Sequence, residues 1–355
     1  MIDDILSLIR RHDRFFITTH IRPDGDALGS EIALGRFLQL LGKDVTIINS
    51  DPPPLNMDWM PGIEHVQLFD GGIEQRKKID GADVLFILDT NAKDRLGKLV
   101  GPVRAARGTK VLVDHHTHPE DWFDVTYARE TASSTGELIY EIIAAYDADL
   151  IETEIATGLY AAIMTDTGSF RYSNVTPAVH RITADILERG EISPAPIHTA
   201  VFDTRSVESL RLLGRTLDTL TLIYGGAVAY MVVTPRMLQD SGATSEDTEG
   251  IVNYALSVEG VRVAIMFLET EGGTKMSFRS KGDAHVNEWA RVLGGGGHKN
   301  ASGAYLTVPL DQAIERVTSL APRFLKLDAE EVDEALSDED EVYLSSLMEM
   351  KSQAR

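Results

Sequence analysis

Val84-Leu85-Phe86-Ile87-Leu88-Asp89-Thr90 sets five consecutive apolar residues directly before a carboxylate. A run that short, apolar on every residue and not on alternate ones, predicts a strand covered on both faces, as in the interior of a parallel sheet. Three more segments share its character: Phe15-Phe16-Ile17-Thr18-Thr19, Val45-Thr46-Ile47-Ile48 and Val111-Leu112-Val113. Amphipathic stretches separate them, which is the pattern of crossover units on a mainly parallel sheet. Ile155 to Met164 is also apolar, but its small residues recur at helical spacing behind Glu152 and Glu154, so a helix is expected there.

Three of the four strands run straight into polar residues: His20 and the loop carrying Asp24 and Asp26, then Asp89-Thr90, then Asp114-His115-His116. In open α/β sheets ligands sit outside the carboxyl ends of the strands, so these segments can converge despite their separation in sequence. A helix expected to begin near Leu28 follows the first loop, whose Pro23 and Gly25 favour a turn. Met164-Thr165-Asp166-Thr167-Gly168-Ser169-Phe170 adds another carboxylate at the end of the Ile155 helix. Each segment alone has an ordinary reading, as an Asp-Gly turn, a helix cap or a surface histidine pair. Four at successive element ends in one domain point instead to a site. The inventory of carboxylates and imidazoles suits two divalent ions about 3.5 to 4 Å apart with one shared carboxylate.

Composition narrows the chemistry. The 355 residues suffice for two domains. With no cysteine the chain has no thiolate nucleophile, disulfide or sulfur-bound zinc, and oxygen and imidazole donors favour manganese or magnesium. No apolar run approaches the roughly 20 residues of a membrane span, and Met1 leads into a charged amphipathic segment, so a cytoplasmic protein without membrane attachment is expected. A formal charge of -21 argues against binding long nucleic acid, while short anions remain compatible. Part of that charge is local, because Asp328 to Glu341 contains nine acidic residues and no basic one, and reads as a solvated tail.

Gly190 to Pro196 interrupts the alternating pattern, and a helical stretch from Ser206 to Ile223 ends at Gly225-Gly226. Beyond it, Ala227 to Val233, Val261 to Glu269 and Lys275 to Arg279 read as strands, with helices near Glu249 to Ser257 and Ala284 to Leu293. This is a second, smaller α/β domain. Its Gly294-Gly295-Gly296-Gly297-His298-Lys299-Asn300-Ala301-Ser302-Gly303 run offers backbone amides, an imidazole, an ammonium and a hydroxyl to an anion, or else a plain glycine hinge. The remaining histidines, His12, His65, His118, His180, His198 and His285 among them, have no supporting neighbours in sequence and read as structural or exposed.

HIRPDGDALGS from His20, LDT from Leu88, VDHH from Val113, MTDTGSF from Met164 and the GGGH…ASG segment stand in an order that resembles the DHH/DHHA1 phosphoesterase superfamily, specifically its NrnA-like group, across roughly residues 1 to 326. The resemblance implies a DHH catalytic domain over 1–190, a linker over 191–226 and a DHHA1 substrate-binding domain over 227–326, and the acidic tail over 327–355 departs from the family's compact pattern. It implies two Mn²⁺ ions, or Mg²⁺ or another divalent ion: one on His20, Asp24 and Asp89, the other on Asp26, Asp89, His115 and Asp166, with Asp89 as bridge. By the same resemblance His116 orients the phosphate or protonates the leaving oxygen, Asp114 supports the histidines, and Arg279, Gly295, Gly296, Gly297, His298 and Ser302 contact substrate.

The implied reaction is hydrolysis by two-metal activation of water. Its implied substrates are RNA of about two to five nucleotides, 3′-phosphoadenosine 5′-phosphate (pAp), or cyclic or linear dinucleotides such as pApA. The group's members are often homodimers. A strand-tracking DNA exonuclease would need an additional domain, and a family II pyrophosphatase would lack the GGGH-type run. A nucleotide-sensing protein without turnover would need a broken ligand set, whereas each expected ligand is present.

Overall fold

The computed structural model describes residues 1–325, in two compact units, Met1–Thr204 and a second beginning at Arg205. The acidic tail lies outside the described residues.

The first unit is built on six parallel strands: β1 (Arg14–Thr18), β2 (Asp44–Asn49), β3 (Val66–Leu68), β4 (Val84–Leu88), β5 (Thr109–Asp114) and β6 (Val125–Ala128), in the order β3-β2-β1-β4-β5-β6. All five residues of β4 are buried, as its uninterrupted apolar run requires. Alternation divides the strand side chains between two cores. Phe15, Ile17, Phe86 and Val113 pack on one face, and Phe16, Leu85 and Ile87 on the other. The short edge strands β3 and β6 were not expected; their three and four residues carry too little apolar patterning to stand out from loop.

Seven of the helices around this sheet are α1 (Ile2–Arg11), α2 (Gly25–Leu40), α3 (Ile73–Gly81), α4 (Val100–Ala105), α5 (Thr135–Asp147), α6 (Thr153–Asp166) and α7 (Pro177–Gly190). The expected Ile155 helix is α6. The first loop is shorter than anticipated: Asp24 caps α2, its Oδ1 accepting from the backbone N–H groups of Asp26 and Ala27 at 3.1 Å. Asp26 therefore lies in the first helical turn, two residues before Leu28, where the helix was expected to begin. Helices α2 and α6 touch through glycine, since a Cβ on Gly29 would sit 2.3 Å from the Gly158 carbonyl oxygen. This close approach brings the amino end of α2 and the carboxyl end of α6 beside the amino end of α5.

The sheet order reverses direction between β1 and β4, which are neighbours although β2 and β3 intervene in sequence. Such a switch point opens a crevice at the carboxyl ends of the two strands, and His20 and Asp89 follow those ends.

The second unit carries a mixed six-stranded sheet, ordered β11-β12-β10-β9-β8-β7, from β7 (Thr221–Ile223), β8 (Val228–Val233), β9 (Val263–Thr270), β10 (Gly273–Ser280), β11 (Gly296–His298) and β12 (Ala301–Leu306). Only β8 and β9 pair in parallel. Segment 191–226, expected as a connector, divides between the units. Residues 191–204 belong with the first, while the helix Val207–Leu217 and β7 belong with the second. The helical expectation for Ser206 to Ile223 thus overran: Ser206 caps the helix as its hydroxyl accepts from Ser209 N–H, and Thr221-Leu222-Ile223, with β-branched Thr221 and Ile223, pairs with Val228–Tyr230.

Among the described residues no helix is long and apolar enough to cross a membrane.

Candidate active site

Each carboxylate and imidazole of the first unit arrives at the crevice by a different local route. His20 leaves β1 with its Nδ1 2.8 Å from the Ile21 carbonyl oxygen and its Nε2 3.3 Å from Asp89 Oδ2. A carbonyl only accepts, so a ring proton lies on Nδ1, and Nε2 is the nitrogen turned toward Asp89 and the crevice. Asp89 follows β4 in a left-handed conformation, φ 56°, which a non-glycine residue adopts only when its surroundings hold it there. Thr135 Oγ1 donates to Asp89 Oδ1 at 3.0 Å. Arg22, Ser169 and Phe170, at φ 54°, 59° and 61°, concentrate similar strain in the loops beside the ligands.

Asp26 is 1% exposed and held at the amino end of α5, accepting from the Thr135 N–H at 2.7 Å and the Gly136 N–H at 2.9 Å. Two backbone donors at a helix amino end favour a carboxylate there. His115 Nδ1 faces the Ala132 carbonyl at 3.4 Å, while its Nε2 lies 3.5 Å from Asp89 Oδ1, 3.5 Å from Asp166 Oδ2 and 3.6 Å from Asp26 Oδ2. His116 Nδ1 is 2.7 Å from Asp114 Oδ1, and Asp114 is fully buried beneath it.

The structure thus brings His20, Asp24 and Asp89 into one group, Asp26, His115 and Asp166 into a second, and Asp89, Asp114 and His116 into a third, the ligand atoms within each lying within 4.8 Å of one another. Asp89 belongs to the first and third and contacts His115 of the second.

Protonation reflects this crowding. Burial, reinforced by the Asp89 charge, pushes Asp26 well above the usual carboxylate range, and burial raises Asp166 to about 6. Burial would raise Asp89 too, but hydrogen bonds from His115 and His20 outweigh it and hold Asp89 well below the ordinary value. His115 is pushed well above its usual value because Asp166, Asp89 and Asp26 together overcome its desolvation. The donor set therefore draws in positive charge, and its oxygens and imidazoles, with no sulfur, fit hard divalent cations.

Neighbours that sequence reading missed complete the pocket wall. The Thr135 hydroxyl and amide, the Gly136 amide and the Ser30 hydroxyl, which donates to Asp26 Oδ1 at 3.3 Å, all bind the ligand carboxylates. The available signal was Ser134-Thr135-Gly136-Glu137, a helix-start pattern in which the Ser134 hydroxyl accepts from the Glu137 N–H.

In the second unit the glycine run takes a form the sequence did not suggest. Gly296–His298 is an edge strand paired with Ala301–Gly303, not an open amide loop. Gly295 is required sterically, since a Cβ there would fall 2.1 Å from the Gly303 carbonyl oxygen. The Ser302 hydroxyl donates to the His298 carbonyl at 2.8 Å. Arg279, on β10 beside β12, donates through Nη1 to the Phe278 carbonyl at 3.0 Å, and its buried Nε has no hydrogen-bond partner among the described residues.

A parallel sheet whose switch point gathers five aspartates and three histidines, followed by a mixed-sheet domain, defines a two-domain phosphoesterase fold. The chain belongs to the DHH phosphoesterase family, a family of metal-dependent enzymes: residues 14–163 match the DHH family N-terminal domain and residues 225–327 the DHHA1 domain. It is 34% identical to the bifunctional oligoribonuclease and PAP phosphatase NrnA of Thermus thermophilus, over 85% of this chain and 87% of the relative. The protein of that name from Bacillus subtilis is 26% identical over 85% of this chain and 92% of its own length. Among solved structures, an exopolyphosphatase-related protein from Bacteroides fragilis matches with a TM-score of 0.87 and 32% identity, covering 92% of this chain and 97% of that one.

Proposed function

We propose that this phosphoesterase hydrolyses short oligoribonucleotides of about two to five residues to mononucleotides, dephosphorylates pAp to AMP, or does both, using two Mn²⁺ ions. The observation that carries the reading is the position of Asp89, 3.3 Å from His20 and 3.5 Å from His115, so that one carboxylate serves two ligand groups. His20, Asp24 and Asp89 would hold one cation; Asp26, Asp89, His115 and Asp166 the other. When bound, the pair supplies Lewis-acid activation of phosphate and water at neutral pH.

The chain's own residues do the rest. Thr135 and Gly136 fix the Asp26 and Asp89 oxygens, so the site is organised before substrate arrives. The 2.7 Å contact to Asp114 places the His116 proton on Nδ1 and gives the ring a fixed orientation; once protonated, the ring can deliver a proton from Nε2 to the leaving oxygen. Within the second unit, Arg279, Gly295, Gly296, Gly297, His298 and Ser302 would grip the substrate's distal phosphate or base. Short substrates suit a chain of net charge -21, because few phosphates must approach it. The names of the Thermus and Bacillus relatives support the substrate class.

The test is product analysis with Mn²⁺ on a labelled RNA ladder from two nucleotides upward, with pAp in parallel. Stepwise mononucleotide release that fades with length and stops with chelator, or chelator-sensitive AMP from pAp, is expected. Consumption of a cyclic dinucleotide alone, with neither the RNA ladder nor pAp cleaved, would contradict the substrate reading and leave the cation site standing.

A further inference from the structure

Behind His20 lies an acidic side chain that the ligand groups do not include. Glu31, on α2, is fully buried, and it faces Asn49 at the end of β2, also fully buried. Asn49 Oδ1 accepts from the Thr19 N–H at 3.3 Å and from the Thr18 hydroxyl at 3.5 Å. A backbone N–H can only donate, so the Asn49 amide has one orientation: its Nδ2 points at Glu31 and donates to Oε2 at 2.7 Å. Thr19 in turn donates through its hydroxyl to the Leu88 carbonyl at 2.8 Å. A continuous chain of hydrogen bonds therefore runs from Glu31 through Asn49 and Thr19 to Leu88 at the end of β4, and the residues that follow Thr19 and Leu88 in the chain are His20 and Asp89.

From this we infer that Glu31 is a positioning residue for the His20, Asp24 and Asp89 cation site, acting through Asn49 on the backbone from which His20 projects. The inference rests on the cation-binding reading of that group. Glu31 is not itself placed to ligate, since Oε2 is occupied by Asn49 and Oε1 is buried without a hydrogen-bond partner among the described residues. Its direct partner is a neutral amide, not a cation, so burial governs its charge and raises it to about 8. Glutamine, which keeps an acceptor oxygen toward Asn49 without a charge, should therefore replace it. Leucine, of similar bulk but with no acceptor, frees the Asn49 amide to rotate and leaves the Thr19 N–H without a fixed partner. The damage falls on the β1 end, which carries His20. His115 and Asp166 stand on other elements and are spared, and Asp26, although on α2 with Glu31, is held from α5 by the Thr135 and Gly136 N–H groups.

Calorimetric titration of Mn²⁺ into the full chain, with the melting temperature of the metal-free protein measured alongside, separates these effects. Wild type and Glu31→Gln should bind two ions with affinities within about threefold of each other. Glu31→Leu should weaken one ion by about 10- to 100-fold, the range for losing a partner of a metal ligand, while the second ion is retained. Unchanged affinities in Glu31→Leu would overturn the inference, as would equal losses in the Gln and Leu variants. So would a uniform loss at both sites that simply follows a lower melting temperature, which is the signature of a structural role alone. A wild-type chain that binds no divalent cation would instead overturn the cation reading on which the inference rests.

Discussion

The two units use their sheets in opposite ways. In the first, the candidate site side chains stand where strands stop: His20 after β1, Asp89 after β4, His115 and His116 after β5. In the second, the candidate contacts lie within paired strands, Arg279 on β10, Gly296–His298 on β11 and Ser302 on β12. Strand ends at a switch point let ligands from distant segments meet, and the stress of assembling them appears as buried charge and left-handed backbone. An edge hairpin instead offers a flat, glycine-lined surface whose backbone pairing is met on one side. The first arrangement suits bond breaking and the second suits holding.

That division can be broken by substitution. Asp89→Ala should have the largest effect, lowering kcat by about a thousandfold or more, because one side chain serves both ligand groups. His298→Ala should raise KM about tenfold with kcat less affected. Steady-state kinetics on a dinucleotide and on pAp checks both; similar kcat losses with unchanged KM in the two variants would erase the distinction. Gly295→Ala, forcing a Cβ against the Gly303 carbonyl, should destabilise the second unit by about 1 to 3 kcal/mol and leave Mn²⁺ affinity unchanged. Denaturant unfolding and cation titration of that one variant measure the two properties separately.

The smallest effect concerns pH. Glu31 is raised from 4.5 to about 8, so the folded chain binds this proton more tightly than the unfolded chain. Its contribution to stability is fully present below pH 4.5 and is lost as pH rises toward 8. Glu31→Gln removes the titration, so its melting temperature relative to wild type should climb between pH 5 and pH 9 in metal-free protein. A flat difference would mean that Glu31 is charged throughout.

Legibility followed the same division between units. The interior strands of the first sheet were readable because uninterrupted apolar runs have few alternative structures, and the candidate site residues that converge there were readable because each follows such a run or ends a helix. The edge strands β3 and β6 escaped because short half-exposed segments pattern weakly. Asp26 was placed in a turn because cap geometry, and not periodicity, decides where α2 begins. The glycine run was recognisable as a motif, but its pairing with Ala301–Gly303 was not, since glycine has no side chain to reveal strand alternation. Glu31 and Asn49 were invisible for another reason. Residues at positions 31 and 49 become partners only when α2 packs on β2, a tertiary contact with no local signature.

The central claim is that Asp89 bridges two cations at the switch point. Anomalous-diffraction crystallography of the full chain with Mn²⁺ tests it most directly. Two peaks about 3.5 to 4 Å apart, both within bonding distance of Asp89, are the predicted result. A single peak, or two peaks of which one lies away from Asp89, would contradict it.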